Sequence, residues 1–168
     1  MHLDYRITKP STLRGYPLHR MVAGLTGGMP FLFSDEGNSL LVRSDAEVAQ
    51  ESAKPVKTLT VGELTAFELR ACVSKKKKGK HIYFPLKDWR ARHEWLQRQG
   101  EKNGFEVLTV HSTSDIAPID DGRRSFKIDQ TDFTGILKVI DQELFANGMV
   151  KGIGSTAKTF GFGMLVIE

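Results

Sequence analysis

The sequence predicts an α+β fold made of two successive β-α-β-β patterns, and three observations carry that expectation. Apolar and polar residues alternate with a period of two in several short runs, as in LDYRIT over residues 3–8. The period lengthens to three and four after Pro17 and again after Pro85, which marks helices set between strands. Turn-forming clusters, among them Pro10-Ser11-Thr12 and Asp35-Glu36-Gly37-Asn38, separate the periodic stretches.

In order, residues 3–8 read as a strand, and Pro10, Ser11, Thr12 and Gly15 break it. Pro17 to Leu25 reads as a short helix with Leu18, Met21, Val22 and Leu25 on one face. PFLFSDEGNSLLVRSD (30–45) looks like two strands joined across 35–38. A further strand pair is expected at 56–61 and 64–74, which leaves Lys75–Lys80 as a loop or hairpin tip. From Pro85, Leu86, Trp89, His93 and Leu96 recur at helical spacing, with basic residues on the outer face. Strands follow near 105–112 and 124–139 with a loop around 115–125, then a short helix at 140–148 and a last strand near 161–167.

The second half therefore runs strand, helix, two strands, helix, strand, which is the ferredoxin-like order. The first half has the same order with a second helix that is short, at Asp45 to Glu51, or absent. Tandem ferredoxin-like (RRM-like) domains are expected, an N-terminal one over 1–65 and a C-terminal one over 66–168. Sheets of this kind are recurrent platforms for RNA.

Composition narrows the function classes. An apolar fraction of 40% suits a chain with a real core. No window approaches a membrane-spanning run of apolar residues, and the N-terminus lacks a signal-type apolar stretch, so a cytoplasmic protein without membrane contact is expected. The lone Cys72 has no partner for a disulfide or a zinc site, and the histidines lack ligand spacing, so neither metal nor other cofactor is expected. Charge is unevenly spread. Residues 75–102 hold ten Lys or Arg against three acids, a local net of +7 in a chain of net +4. A basic stripe on a mildly acidic body suits a phosphate-backbone binder, although a solvated lysine-rich hairpin would look the same.

Two constellations could carry chemistry. In Arg14-Gly-Tyr-Pro-Leu-His-Arg20, Pro17 suits the first helical turn, placing Tyr16 at the cap and His19 within the first turn. The helix dipole there welcomes a phosphate and biases His19 toward the neutral form a general base requires. Arg14 and Arg20 could neutralise phosphate charge. The bland alternative is a half-buried histidine with no role. The second constellation is GMVKGIGSTAKTFGFGMLVIE (148–168), with five glycines in 21 residues flanked by Lys151 and Lys158. Gly152, Gly154, Gly161 and Gly163 could bring the backbone close to a ligand, or could form a turn before the last strand. Gly152 to Thr159 misses the phosphate-binding P-loop pattern only at Ala157, but a short helix precedes it and no long helix can follow, so nucleotide hydrolysis is rejected.

Four stretches together resemble the CasE-type CRISPR precursor-RNA endoribonucleases of the RAMP superfamily, as a compact member. They are Tyr16-Pro-Leu-His19 with Pro30-Phe-Leu-Phe33; Phe67-Glu-Leu-Arg-Ala71 before the basic run; Trp95-Leu-Gln-Arg98; and Phe133-Thr-Gly-Ile-Leu137 with the glycine-rich segment to Leu165. The resemblance implies a metal-independent cut at a repeat hairpin that leaves a 2′,3′-cyclic phosphate and a 5′-hydroxyl, with the product retained. It also implies other CRISPR effector-complex subunits as partners, a backbone subunit among them. By motif position, His19 and Tyr16 would be catalytic. Arg14, Arg20, Lys75, Lys76, Lys77, Lys78, Lys80, Arg90, Lys151 and Lys158, with the four loop glycines, would hold RNA. One departure is that residues 21–30 contain no lysine to meet the phosphate, which leaves Arg20 or Lys158 for that task. The alternative is a subunit or mimic of the same fold that grips a repeat hairpin without cutting it. A housekeeping RRM-like binder is disfavoured, because the aromatic RNP string is missing.

Overall fold

The computed structural model describes residues 2–48 and 53–168. The first sheet is built from β1 (Leu3–Thr8), β2 (Phe31–Asp35), β3 (Ser39–Ser44) and a two-residue β4 (Lys54–Pro55), in the order β2-β3-β1-β4. Helix α1 (Tyr16–Leu25) connects β1 to β2. Leu18 and Val22, one turn apart, seal this helix against Tyr5, Phe33, Leu40 and Val42 of the sheet. The expected helix from Asp45 to Glu51 lies partly outside the described residues; over 45–48 the chain is not helical.

After β5 (Leu64–Ala71), the chain makes a separate two-stranded hairpin, β6 (Ser74–Lys77) and β7 (Lys80–Tyr83), before α2 (Trp89–Lys102). It then runs through β8 (Phe105–Asp120), β9 (Ser125–Val139), α3 (Gln142–Lys151), a 3-10 turn at Lys158–Phe160 and β10 (Leu165–Ile167). The second sheet has the order β10-β5-β9-β8, all neighbours antiparallel. Both sheets thus show the ferredoxin-like strand order, and the α+β class is as the sequence indicates. Phe67, Leu69, Leu96, Phe133, Leu137, Phe145 and Leu165 form the larger core between the second sheet and its helices.

Several expectations are corrected. Residues 56–61 are not a strand: Leu59 is 3% exposed and drops into the second core, while Gly62 donates to the Val139 carbonyl at 2.8 Å, so this stretch is the crossing between sheets. The strand expected over 64–74 stops at Ala71. The stretch 115–125 is mostly strand, because β8 and β9 pair from Phe105↔Val139 out to Asp120↔Ser125. On α2 the buried face is Arg92, Trp95, Leu96 and Gly100, not Leu86 and Trp89. Asp88 accepts the Ala91 N–H at 3.0 Å and starts the helix after Leu86, while Trp89 is 54% exposed and stacks under Arg90. The last strand begins at Leu165 rather than 161, since the glycines before it turn the chain.

Two buried arginines join the layers. Arg43 on β3 takes both oxygens of Asp4, at 2.7 and 2.8 Å, and donates across to the carbonyls of Met149 and Leu165 at 3.0 and 2.9 Å. Arg92 on α2 pairs with Asp129 on β9 at 2.7 Å, both side chains fully buried.

Candidate functional site

Gly15, with φ of 66°, caps α1, so Tyr16 is its first residue and Pro17 its second; Tyr16 is not the cap itself. Pro17 has no N–H to leave unpaired there. His19 lies one turn in, and its own N–H already donates to the Gly15 carbonyl at 3.1 Å. Its ring is sandwiched rather than hydrogen-bonded: it stacks on Tyr16 at 5.9 Å and leans on Phe31 at 5.2 Å and Phe33 at 6.4 Å. Nδ1 is buried and finds no hydrogen-bond partner among the described residues. Partial burial pushes the imidazole pKa below its ordinary 6.5, so the ring is neutral at pH 7. A neutral imidazole held by aromatics beside a tyrosine, at a helix N-terminus, can take a proton from a hydroxyl near a phosphate.

The tip of the β8–β9 hairpin packs on this helix start. The Cβ position of Gly122 lies 3.7 Å from the Tyr16 ring, and that of Gly15 3.5 Å from the Asp120 carbonyl. Between them opens a cleft of about 600 Å³ lined by Tyr16, Pro17, Arg20, Met21, Asp121, Gly122 and Arg123. Asp121 folds the tip by accepting the N–H groups of Arg123 and Arg124 at 3.0 and 2.9 Å; these bonds hold its carboxyl below the usual range. Arg124 lies over Phe126 at 5.2 Å. Arg123 and Arg124 are additions to the site expected from the sequence; their signal is the Asp-Asp-Gly-Arg-Arg string, a turn former followed by two cations. Arg14 and Arg20 are exposed on either side of Gly15, and Arg14 lines a second cleft of about 680 Å³ with Arg70, Gln130 and Phe160.

The glycine-rich segment comes to the same region, but its glycines face protein. Gly152, Gly154, Gly161 and Gly163 all have positive φ. A Cβ on Gly161 would sit 2.8 Å from Phe33, one on Gly154 3.1 Å from Trp95, and one on Gly163 2.8 Å from the Ile153 carbonyl. Gly152, Gly161 and Gly163 are buried. Their freedom lets the segment press on the Phe33 ring that backs His19, which differs from a loop open to ligand. Lys158 packs its stem on Gly152, and its ammonium donates to the Lys151 carbonyl at 2.7 Å; burial pushes its pKa down. Lys151 itself is exposed. Gly161→Ala is expected to cost about 1–2 kcal/mol for the left-handed backbone alone. It should also slow any His19-dependent reaction by displacing Phe33. Thermal melting and single-turnover rates check both effects, and an unchanged rate in the folded variant would separate the glycine from the site.

The basic run forms the β6–β7 hairpin, which hydrogen-bonds to neither large sheet. Lys75, Lys76, Lys77, Lys78 and Lys80 are all exposed. Lys78 and Gly79, with φ of 50° and 77°, make its turn, so Lys77 and Lys80 face each other. Like charges directly opposed are unfavourable without a counter-charge. Lys75 lies 5.6 Å over the Phe84 ring, and His81 pairs with Ser74 at 3.1 Å. Arg90 is exposed on α2; His93 is held by Ser112 at 2.9 Å, a structural placement.

No helix among the described residues is long and apolar enough to cross a membrane. Among curated proteins none matches the sequence. Solved structures do match it along its whole length. Cas6e from Escherichia coli K-12 shares 26% identity at a TM-score of 0.76, with 99% of this chain and 98% of that chain covered. Cse3 from Thermus thermophilus, bound to an RNA representing a pre-cleavage complex, shares 21% identity at a TM-score of 0.83, covering 99% and 98%. A structure of CRISPR endoribonuclease Cse3 bound to a 19-nucleotide RNA has a TM-score of 0.81 at 20% identity, covering both chains fully. The fold of those proteins, tandem ferredoxin-like units, is the fold described above. The family model described as CRISPR associated protein matches residues 14–168, from the arginine before α1 through the last strand, and the chain belongs to that family.

Proposed function

We propose that this chain is an endoribonuclease that cuts CRISPR precursor RNA at repeat hairpins and keeps hold of its product. The observation that carries the reading is His19: neutral and stacked between Tyr16 and Phe31 at the start of α1, beside the cleft that Tyr16, Arg20 and Arg123 line. A 2′-hydroxyl beside the scissile phosphate gives its proton to His19 as its oxygen attacks phosphorus. The P–O5′ bond breaks, leaving a 2′,3′-cyclic phosphate, and the departing oxygen takes a proton from solvent water to become a 5′-hydroxyl, after which His19 returns its proton to solvent. Tyr16, with Arg20 and Arg123 across the cleft, meets the charge that develops on the phosphoryl oxygens. No metal ion is needed in this scheme. In this reading the two sheets are the two domains, the N-terminal one bringing His19 and the C-terminal one the basic hairpin. Its partners are the repeat hairpin and other subunits of a Cascade-type complex, as in the E. coli Cascade structure the chain also matches.

The test is incubation of a repeat hairpin RNA with the protein in EDTA. Metal-free cleavage to a cyclic-phosphate end supports the reading, and a strict divalent-ion requirement would sink it. A second reading, a subunit that grips the hairpin without cutting, has one observation in its favour. The Lys158 ammonium is tied to the Lys151 carbonyl rather than turned to the cleft. Tight binding with no cut over a long incubation would select it.

The hairpin lysines supply backbone contacts in either reading. Changing Lys75, Lys76, Lys77, Lys78 and Lys80 to serine is expected to reduce the slope of log K against log salt by about 0.7–0.9 per lost phosphate contact. An unchanged slope in a salt titration would mean that the run is only a solvated loop.

A further inference from the structure

We propose that the buried Arg92–Asp129 pair is a positioning device that fixes the direction of the lysine hairpin, and so presents its charges to an RNA stem. This inference rests on the reading of that hairpin as an RNA contact.

The hairpin needs such a device. It forms its own two-stranded sheet with no ladder to the rest of the fold, and it carries Lys77 opposite Lys80. An isolated two-stranded hairpin is marginal in water, and facing like charges weaken it further. Its direction is therefore set where it meets the body, at Val73 on one side and at Phe84 and Pro85 on the other, next to Tyr83, which packs against Cys72, Ile119, Ile128 and Phe162.

Arg92 and Asp129 hold both of those points. Asp129 Oδ1 accepts the Val73 N–H at 3.2 Å, just before β6. Arg92 Nη2 donates to the carbonyls of Phe84 and Pro85, at 3.0 and 3.3 Å, just after β7. Arg92 Nη1 closes the link on Asp129 Oδ2 at 2.7 Å and on Thr131 Oγ1 at 2.9 Å, while Thr131 returns to Asp129 at 2.8 Å. The pair thus ties α2, β9 and both stems of the hairpin. Nε of Arg92 is buried without a partner among the described residues, so the network is not built for greatest stability. A buried ion pair is a weak source of stability against a packed apolar pair of like volume. What it supplies here is direction, since the guanidinium fork bonds only along fixed lines.

The experiment uses the full chain with Arg92→Met and Asp129→Leu together, which removes the Arg92 and Asp129 bonds to the hairpin stems without stranding a charge. It also uses the five-lysine-to-serine variant, and the two sets combined. Hydrogen exchange reads residues 74–83 against the β5–β9 strands, and a repeat stem-loop RNA is titrated at several salt concentrations. In the apolar pair variant, exchange over 74–83 should speed by roughly tenfold or more while the sheet stays protected. RNA affinity should fall by about tenfold with a flatter salt slope, and the loss should vanish in the five-serine background. Unchanged exchange at 74–83 overturns the positioning role whatever the RNA does. Faster exchange with full RNA affinity, in a protein whose five-serine variant does bind weakly, overturns its link to recognition. If the five-serine variant itself binds as wild type does, the RNA role of the hairpin fails, and with it this inference. A loss that persists undiminished in the five-serine background also overturns it, because the pair would then act elsewhere.

Discussion

His19→Ala is expected to reduce cleavage of a repeat hairpin by roughly 10²–10⁴-fold, the range that positioned acid–base groups contribute. Binding should be retained, because His19 is largely enclosed by aromatic rings while the cations that would grip RNA lie elsewhere. The pH profile carries independent information. Burial depresses the imidazole pKa below 6.5, so the base form fills at neutral pH. The single-turnover rate should then be flat around pH 7 and fall as pH drops through the lowered pKa, with the midpoint below 6.5. A rate that instead rises toward acid pH would assign His19 as the proton donor, and cutting that survives His19→Ala would remove it from the reaction. Tyr16→Phe separates the hydroxyl from the stacking: the ring still supports His19, so any loss of rate reports the hydroxyl alone.

Much of the element order was legible because the helices and several short strands announce themselves locally. Pro17 starts a helix, Asp35-Glu-Gly-Asn38 turns a hairpin, and the helical spacing after Pro85 marks α2, although the Asp88 cap sets its start after Leu86. What was illegible depended on partners distant in sequence. Arg92 reads as one more charge on a basic face; only Asp129 and the Phe84 and Pro85 carbonyls make it a core residue. The outer halves of β8 and β9 pack Ala117, Ile119, Phe126 and Ile128 against Cys72 and Phe162, partners distant in sequence, while Pro118 and the Asp-Asp-Gly-Arg-Arg string make the stretch read as loop. That is also why Arg123 and Arg124, carried by this hairpin to the Tyr16 cleft, went unseen. The glycine-rich segment was legible as a special backbone but not as to its purpose. Close approach to Phe33 and Trp95 leaves the same glycines in the sequence as close approach to a ligand.

Arg43→Met should lower stability by about 3–5 kcal/mol, the usual cost of leaving one member of a buried pair behind. Arg43 is 2% exposed, and its guanidinium holds Asp4 by two bonds and the carbonyls of Met149 and Leu165 by two more. Methionine fills much of the volume but abandons all four acceptors. Asp4 keeps a side-chain exposure of 20%, so water can recover part of its solvation, which favours the lower end of the range. At about 2–4 °C per kcal/mol for a chain of this size, a thermal scan should show a midpoint lower by roughly 6–12 °C. The functional consequence follows from where the bonds run. They join β3, in the sheet that carries α1, to the end of α3 and to β10, which bracket the glycine-rich segment backing His19. Loosening them frees one sheet to slide on the other, so cleavage by the folded variant should slow while RNA binding, set by the β6–β7 lysines, changes less. Adding Asp4→Leu removes the stranded carboxylate and should restore part of the stability but not the rate. If the double variant regains both, the Arg43 bonds serve only to neutralise Asp4, and the alignment of the two sheets rests on their apolar contacts.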